Sequence, residues 1–422
     1  MYYLIAIYLI FFAFLAHRRT DWAIYLIIFA LPSYLIRFNL VSLPMTLLEG
    51  MILILFFIWL IKTLMNKETS KLFEIFNNNK LLFILSDIFL IVATVSVFVS
   101  PHLREALGIW KAYFIEPFLF LIVFVSAINK DKLKNIFSAF ALSASLLSLI
   151  AIYQKITGNL ISNPFWADEA TRRVTGIFEY PNALSLLLAP ILILLIGYLF
   201  QLQNRPRIYQ LFIFLSILLN FFAIAFTKSK GAILALYCGL IFYAIFYKPY
   251  RKYFIILILI ISLTAPAMLA TGKIDINLRG QATVEGGDSI SVRLDMWNET
   301  WQMLESRPIF GAGLAGYQTA VGPYHNKKYI EVFLYPHNIF LNFWTELGLL
   351  GLISFLLLVF WFYRQGFKNK SYILLSAMTV IIIHGLVDVP YFKNDLSVFF
   401  WFLFASMIIA TTQEVGRTRE IC

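Results

Sequence analysis

From one end to the other, long apolar runs alternate with short polar punctuation. A run of about 20 apolar residues can cross a ~30 Å hydrocarbon core as a helix. Such runs fall near 2–16, 22–37, 43–63, 81–99, 107–128, 135–156, 183–200, 209–226, 231–247, 253–270, 338–363, 371–389 and 395–412. The pattern predicts an all-α, polytopic integral membrane protein with about thirteen spans, or twelve given how short the first two are. Before the first run there is no basic residue, and after it no small-residue cleavage site, so it is expected to be a retained span and not a cleaved signal.

The polar punctuation carries orientation. "HRR" at 17–19, the lysine-bearing 62–80 segment, "NKDKLK", "QNRPR", "YKPYRK" and "RQGFKNK" fall on one side, which the positive-inside rule makes cytoplasmic. Loops 101–106, 157–182, "TKSKG", 271–337 and "PYFKND" are then external, with the N-terminus outside and the tail "EVGRTREIC" inside. Only 271–337 is long, and loops of that length are usually functional or disordered. Its Trp, Tyr and Gly content argues for order. The expected organisation is one integrated membrane domain: a helix bundle over 1–270, the external loop 271–337 carrying an amphipathic helix near 291–305, and C-terminal helices with a cytoplasmic tail over 338–422.

Composition sharpens this reading. The chain is 60% hydrophobic and 14% charged, against about 45–50% and 25% in soluble domains. Cys238 lies inside an apolar run and Cys422 is the last residue, so neither a disulfide framework nor a metal cluster is expected. The net charge of +11 points, in so apolar a chain, to cytoplasmic loops, anionic membrane lipids and a phosphorylated substrate, not to nucleic acid.

Several short stretches are candidates for chemistry. "GAGLAG" at 311–316 matches a dinucleotide-binding pattern letter for letter, but it lacks the strand before and the helix after that such a site needs. It reads as a turn in which Gly311, Gly313 and Gly316 let backbone pack closely. In "SVRLDMWNETWQMLESRP" a helical wheel places Leu294, Trp297, Trp301 and Leu304 in an apolar stripe flanked by Met296 and Met303. Asp295, Asn298, Glu299, Gln302 and Glu305 take the opposite face. Arg293 falls in the apolar face, where a guanidinium needs an anion: a structural carboxylate or a substrate phosphate. Arg172 and Arg173, and Lys228 and Lys230 in the "TKSKG" turn, crowd positive charge on the external side. Each alone is an ordinary snorkelling cation, whereas together they suit an anionic ligand. His337 and Asn338 stand at the mouth of a span, as a helix start with Asn338 near the cap or as a catalytic imidazole. "HGLVD" sets His384 and Asp388 four residues apart near the outer end of the penultimate span, where they suit interhelical contacts or a functional role.

Taken in order, "TGIFEYPNALSLLLAP", "TKSKGAILAL", "RLDMWNETWQMLESRPIFGAGLAGY", "HNIFLNFWTELGLLG" and "HGLVDVPYFKNDLSVFFW" resemble the O-antigen ligase and polymerase superfamily of membrane glycosyltransferases over about 170–412. The resemblance implies a fold similar to the C-class glycosyltransferases in the cytoplasmic membrane, with the active site on the external, periplasmic side. It also implies transfer of a glycan from a polyprenyl-pyrophosphate carrier to the hydroxyl of a glycolipid or other glycan acceptor, with no metal and no cofactor. The family's critical basic residues map onto Lys230, Arg293 and His337. This chain departs from the pattern in having Ser229-Lys230-Gly231 where Ser-Arg-Gly is usual, which keeps the charge but loses bidentate phosphate geometry. His337 would be the general base, and Arg293 with Lys230 and Arg173 would hold the pyrophosphate. A polymerase of the same superfamily shares this donor chemistry. A flippase or transporter would need no base and often shows internal repeats, which this chain lacks. An anchoring or assembly protein would leave Arg293 and His337 without a task.

Overall fold

A computed structural model describes residues 2–40, 43–67, 69–256, 258–259, 289–326 and 331–419. The helices are α1 (Tyr2–Arg18), α2 (Thr20–Phe29), α3 (Leu47–Met65), α4 (Thr69–Asn78), α5 (Lys80–Val99) and α6 (Leu103–Ala127), the last with a π-helical stretch over Trp110–Ile115. They continue as α7 (Lys130–Thr157), α8 (Pro181–Leu199), α9 (Arg207–Thr227), α10 (Lys230–Phe246), α11 (Ser289–Ser306), α12 (Ile339–Lys368), α13 (Tyr372–His384) and α14 (Asn394–Arg419). Among the described residues, eight helices are long and apolar enough to cross a membrane, and α1, α2, α10 and α13 are shorter apolar helices. Those twelve coincide with twelve of the thirteen expected spans. The remaining one, 253–270, lies mostly outside the described residues. The protein is a multi-pass, all-α membrane protein.

The segment after α2 departs from the hydropathy reading. The second run does not stay helical to residue 37, because α2 ends at Phe29 and a 3-10 turn, Leu31–Leu35, follows with Pro32 in its first turn. Proline has no N–H to extend a helix. The chain then forms a hairpin in which β1 (Arg37–Leu40) pairs antiparallel with β2 (Leu43–Thr46). Thr46 closes the hairpin and caps α3, its hydroxyl accepting from the Glu49 N–H while the Glu49 carboxylate takes the Thr46 N–H, a reciprocal capping box.

Lipid tails are as apolar as leucine, so close packing and polar contacts must hold these helices together. α10 shows how. Gly231, Ala235 and Gly239 recur every fourth residue and let α10 lie against α13 and the turn beyond it. A Cβ on Gly239 would stand 2.6 Å from Val380, and Ser376 donates to the Gly239 carbonyl at 2.6 Å. α8 and the apolar part of α14 are almost wholly buried and form the centre of the bundle. Beside them Phe343 and Phe355 stack with centroids 4.1 Å apart, and Tyr391 sits edge-on to Phe400 at 5.2 Å.

α12 breaks at Gly348, whose φ of 74° and ψ of −176° lie in a region open essentially only to glycine. The break frees backbone groups that hydrocarbon cannot satisfy, and Ile309 with the "GAGLAG" turn that follows it satisfies them. Leu349 donates to the Ile309 carbonyl at 3.0 Å, and the Thr345 carbonyl accepts from Ala312 at 2.7 Å. Ala315 donates to the buried Glu346 carboxylate at 2.7 Å. A Cβ on Gly311 would meet the Thr345 oxygen at 2.4 Å, and one on Gly313 the Ser100 nitrogen at 2.5 Å. These glycines therefore serve close backbone approach, as their reading as a turn required.

Candidate active site

α11 forms where the pattern placed a helix, but its buried face is rotated from the expected stripe. Leu294 and Trp301 are exposed, while Val292, Met296, Thr300, Met303 and Leu304 are buried. Met303 and Leu304 pack against Ala312, Tyr317 and Val321. Glu299, expected on the polar face, is buried because it is paired: His325 Nδ1 lies 3.0 Å from one oxygen and the Asn326 N–H 3.3 Å from the other. Arg293 and Trp297, one turn apart, share the face directed at the α12 entrance and the turn after α13. Trp297 Nε1 donates to the Pro336 carbonyl at 2.8 Å, and Arg293 Nε to the Val387 carbonyl at 3.1 Å.

The α12 entrance is stitched to that turn. Ile339 donates to the Gly385 carbonyl at 2.7 Å, and Asn338 Nδ2 to the Leu386 carbonyl at 3.1 Å. Asn338 is also the expected cap, its side-chain oxygen accepting from Phe340 and Leu341 at 3.0 and 3.1 Å. Between these anchors His337 adopts a φ of +45°, a conformation that costs a non-glycine residue of order 1–3 kcal/mol and persists only when its surroundings enforce it. Its ring is partly accessible, lies edge-on to Phe333 at 5.4 Å, and places Nδ1 3.4 Å from Asp388 Oδ1. The hydropathy run reached residue 389, yet α13 ends at His384. Asp388 therefore lies in the following turn and not one helical turn above His384.

Asp388 is the hub. Its Oδ1 also takes the Val389 N–H at 2.9 Å, and its Oδ2 accepts from Asn182 Nδ2 at 3.2 Å. Burial alone would raise this carboxyl, but the hydrogen bond and charge of His337 outweigh it and hold the group below the usual carboxylate range. Asn182 in turn accepts at Oδ1 from Arg173 Nη2, at 3.1 Å. A continuous chain thus runs Arg173–Asn182–Asp388–His337. Arg173 is almost fully buried, gives Nε–H to the Thr227 carbonyl at 2.7 Å and lies 4.8 Å from the Trp166 ring. Burial, and after it the like charge of Arg293, lower it to about 10.

The remaining candidates separate. Lys230 is exposed and begins α10, whose next residue, Gly231, abuts His384 and Val387, so it stands beside the Arg293 contact. Lys228 is half-buried and ends α9 in the left-handed conformation, in the same turn. Arg172 points elsewhere, its guanidinium held by the Ala167 and Lys155 carbonyls at 3.1 Å each. His384 is buried against Gly231 and belongs to the packing beneath the site. Two residues escaped the sequence reading. Asn182, a neutral amide at a helix start, carried no signal apart from its place in "YPNA". Lys393 stands 4.5 Å from the Tyr180 ring and 5.9 Å from Phe178, so it faces the segment leading into Asn182. Among the described residues no group of three or more His, Cys, Asp or Glu could hold a metal ion.

Comparison with known proteins covers part of the chain that carries these residues. Residues 215–356 match the family described as O-Antigen ligase. Over 92 residues the chain is 33% identical to a Rickettsia conorii protein provisionally named a polysaccharide ligase, a stretch that covers 20% of this chain and 22% of that protein. Over 206 residues it is 27% identical to an uncharacterised protein of Haemophilus influenzae, covering 44% of this chain and 51% of the relative. The matches span no more than about half the length of these curated relatives. Lys230, Arg293 and His337 lie inside the family match, whereas Arg173, Asn182 and Asp388 lie outside it. Over residues 215–356 the chain is similar to the O-antigen ligase family, as its ordered motifs indicated.

Proposed function

We propose that the protein is a membrane glycosyltransferase that moves a glycan from a polyprenyl-pyrophosphate carrier to an acceptor hydroxyl, on the external face of the cytoplasmic membrane. The observation that carries this reading is the hydrogen-bonded chain Arg173–Asn182–Asp388–His337, which joins an imidazole to a guanidinium, with Arg293 held at the adjoining Val387 carbonyl. A carboxylate can only accept, so a hydrogen bond to Asp388 puts the imidazole proton on Nδ1 and leaves the His337 Nε2 lone pair open. That lone pair would take the acceptor proton as the hydroxyl oxygen attacks the anomeric carbon and the bond to the pyrophosphate breaks. Arg173, Arg293 and Lys230 would hold the charge that grows on the departing pyrophosphate.

The test is transfer by the purified protein in bilayers containing a polyprenyl-pyrophosphate glycan and candidate acceptors. Product on a second lipid would mark a ligase of the lipopolysaccharide type, and product on a growing glycan a polymerase. His337→Ala should lower turnover by about 10²–10⁴-fold, the usual contribution of a general base, with donor binding retained. Near-normal turnover in that variant would leave His337 as a helix start only.

A further inference from the structure

A polar concavity lies at the end of the bundle away from His337. α7 has 28 residues and is therefore about 42 Å long. Its C-terminal Gln154 bonds the 175–176 backbone next to Arg173. The opposite end of α7, the α1–α2 junction, the last turns of α3 and the end of α6 enclose a cavity of about 500 Å³. Arg18, Arg19, Lys62 and Lys132 line it, with Asp21 as the one carboxylate among its lining residues. Asp21 is shared, 3.3 Å from Arg19 and 3.5 Å from Lys132. The Lys62 ammonium reaches the α1 carbonyls of His17 and Ala16, which hold it in place without neutralising it. Three positive charges thus remain uncompensated by side chains lining the cavity.

Its surroundings indicate what supplies the missing negative charge. Exposed aromatic side chains flank it: Phe14 and Trp22 are each more than half exposed, and Arg18 and Arg19 lie over their rings at 5.6 and 5.8 Å. A free phosphate would use the cations but not these side chains. A phospholipid would use both, with its phosphodiester in the cavity and its acyl chains along the exposed side chains. We propose that this cavity is a binding site for the head group of an anionic phospholipid, on the membrane face opposite His337. Basic pockets between spans are suited to such head groups. The proposal is independent of the transferase reading.

The experiment uses the full chain in bilayers of phosphatidylcholine with or without phosphatidylglycerol, reading the melting temperature and, by native mass spectrometry, the retained lipid. The wild type should melt higher with phosphatidylglycerol and retain it. Each neutralised cation should weaken retention about fivefold, so Arg18→Gln with Lys132→Gln should reduce it some 25-fold. Asp21→Asn removes the opposing charge and should tighten retention, which keeps the test decisive if the double variant folds poorly. Equal melting in both bilayers, or unchanged retention in all variants, would overturn the proposal. So would full stabilisation by soluble glycerol phosphate in pure phosphatidylcholine, because the ligand would then be a free phosphate ester and not a lipid.

Discussion

Replacing Asp388 with Asn tests the hub with almost no change in volume. The carboxylate accepts three N–H groups, from His337, Asn182 and Val389, and an amide has one oxygen for them. If that oxygen stays with His337 and Val389, the new NH2 meets Asn182 Nδ2 donor to donor. Asn182 could flip, but its NH2 would then face the Arg173 guanidinium, now 3.1 Å from Asn182 Oδ1. If the oxygen turns to Asn182, the new NH2 faces His337 Nδ1, which accepts only when the proton sits on Nε2. That tautomer has no lone pair for the acceptor hydroxyl. The first arrangement leaves a buried donor unsatisfied, at about 1–3 kcal/mol. The second removes the base, and the same substitution in a Ser-His-Asp triad lowers kcat by about 10⁴. The expected outcome is a turnover loss of about 10²–10⁴ with donor affinity changed little. The His337–Asp388 separation of 3.4 Å suits an unliganded site, where catalytic hydrogen bonds are often long. Single-turnover transfer in donor-loaded bilayers measures the chemical step. Because the two residues act as a unit, Asp388→Asn with His337→Ala should be no slower than His337→Ala alone. Multiplied losses in the double variant, or turnover within a few-fold of wild type in Asp388→Asn, would refute the coupling.

Arg293→Lys should weaken donor binding about tenfold or more, the worth of one charged hydrogen bond. It should leave the melting temperature of the free protein nearly unchanged, because Met296, Met303 and Leu304 still pack. A destabilised variant with a normal donor-induced shift would make Arg293 structural. Gly348→Ala should cost at least about 1–3 kcal/mol, since its Cβ would stand 2.1 Å from the Ile309 oxygen. Gly108→Ala in α6, with nothing within 4 Å of the new Cβ, serves as the neutral control in the same melting experiment. The depressed Asp388 carboxyl gives a pH signature. Its folded pKa lies below the unfolded value of about 3.9, so its contribution is present above that pH and lost as pH falls further. Asp388→Asn should therefore lose less stability than wild type when melting is followed from pH 5 down to pH 3, and equal losses would contradict the assignment.

What the sequence made legible follows from which interactions average over many residues. Hydropathy does, and eight span-length helices and four shorter apolar ones appear where the apolar runs lie. Motif order placed Lys230, Arg293 and His337 on a common list, and the structure holds Arg293 and His337 against the 385–388 turn, with Gly231, the residue after Lys230, packed on Val387. The signals that failed were local. Arg172 and Arg173 are adjacent cations that the sequence does not distinguish, and carbonyls separate them: Ala167 and Lys155 at the end of α7 hold Arg172, and Thr227 holds Arg173 beside α10. The wheel for α11 counted Glu299 as polar, and so as exposed, because nothing in the chain announces that His325 will pair with it.

Gly348 shows the same limit from within a span. Inside "ELGLLGL" it reads as one more tolerated glycine in an apolar helix, and the break becomes necessary only because the 309–315 backbone occupies the space that a continuous helix would fill. Asn182 is the instructive case. Its amide has no charge to flag it, yet it accepts from a guanidinium and donates to a carboxylate at once. A cation and a carboxylate placed that close would otherwise satisfy each other, and Arg173 would then have little field left for a substrate. An amide between them passes orientation along the chain to His337 without itself carrying a charge that would oppose the guanidinium. If Arg173, Arg293 and Lys230 hold a pyrophosphate, the neutral linker is as necessary to the site as the charges it separates.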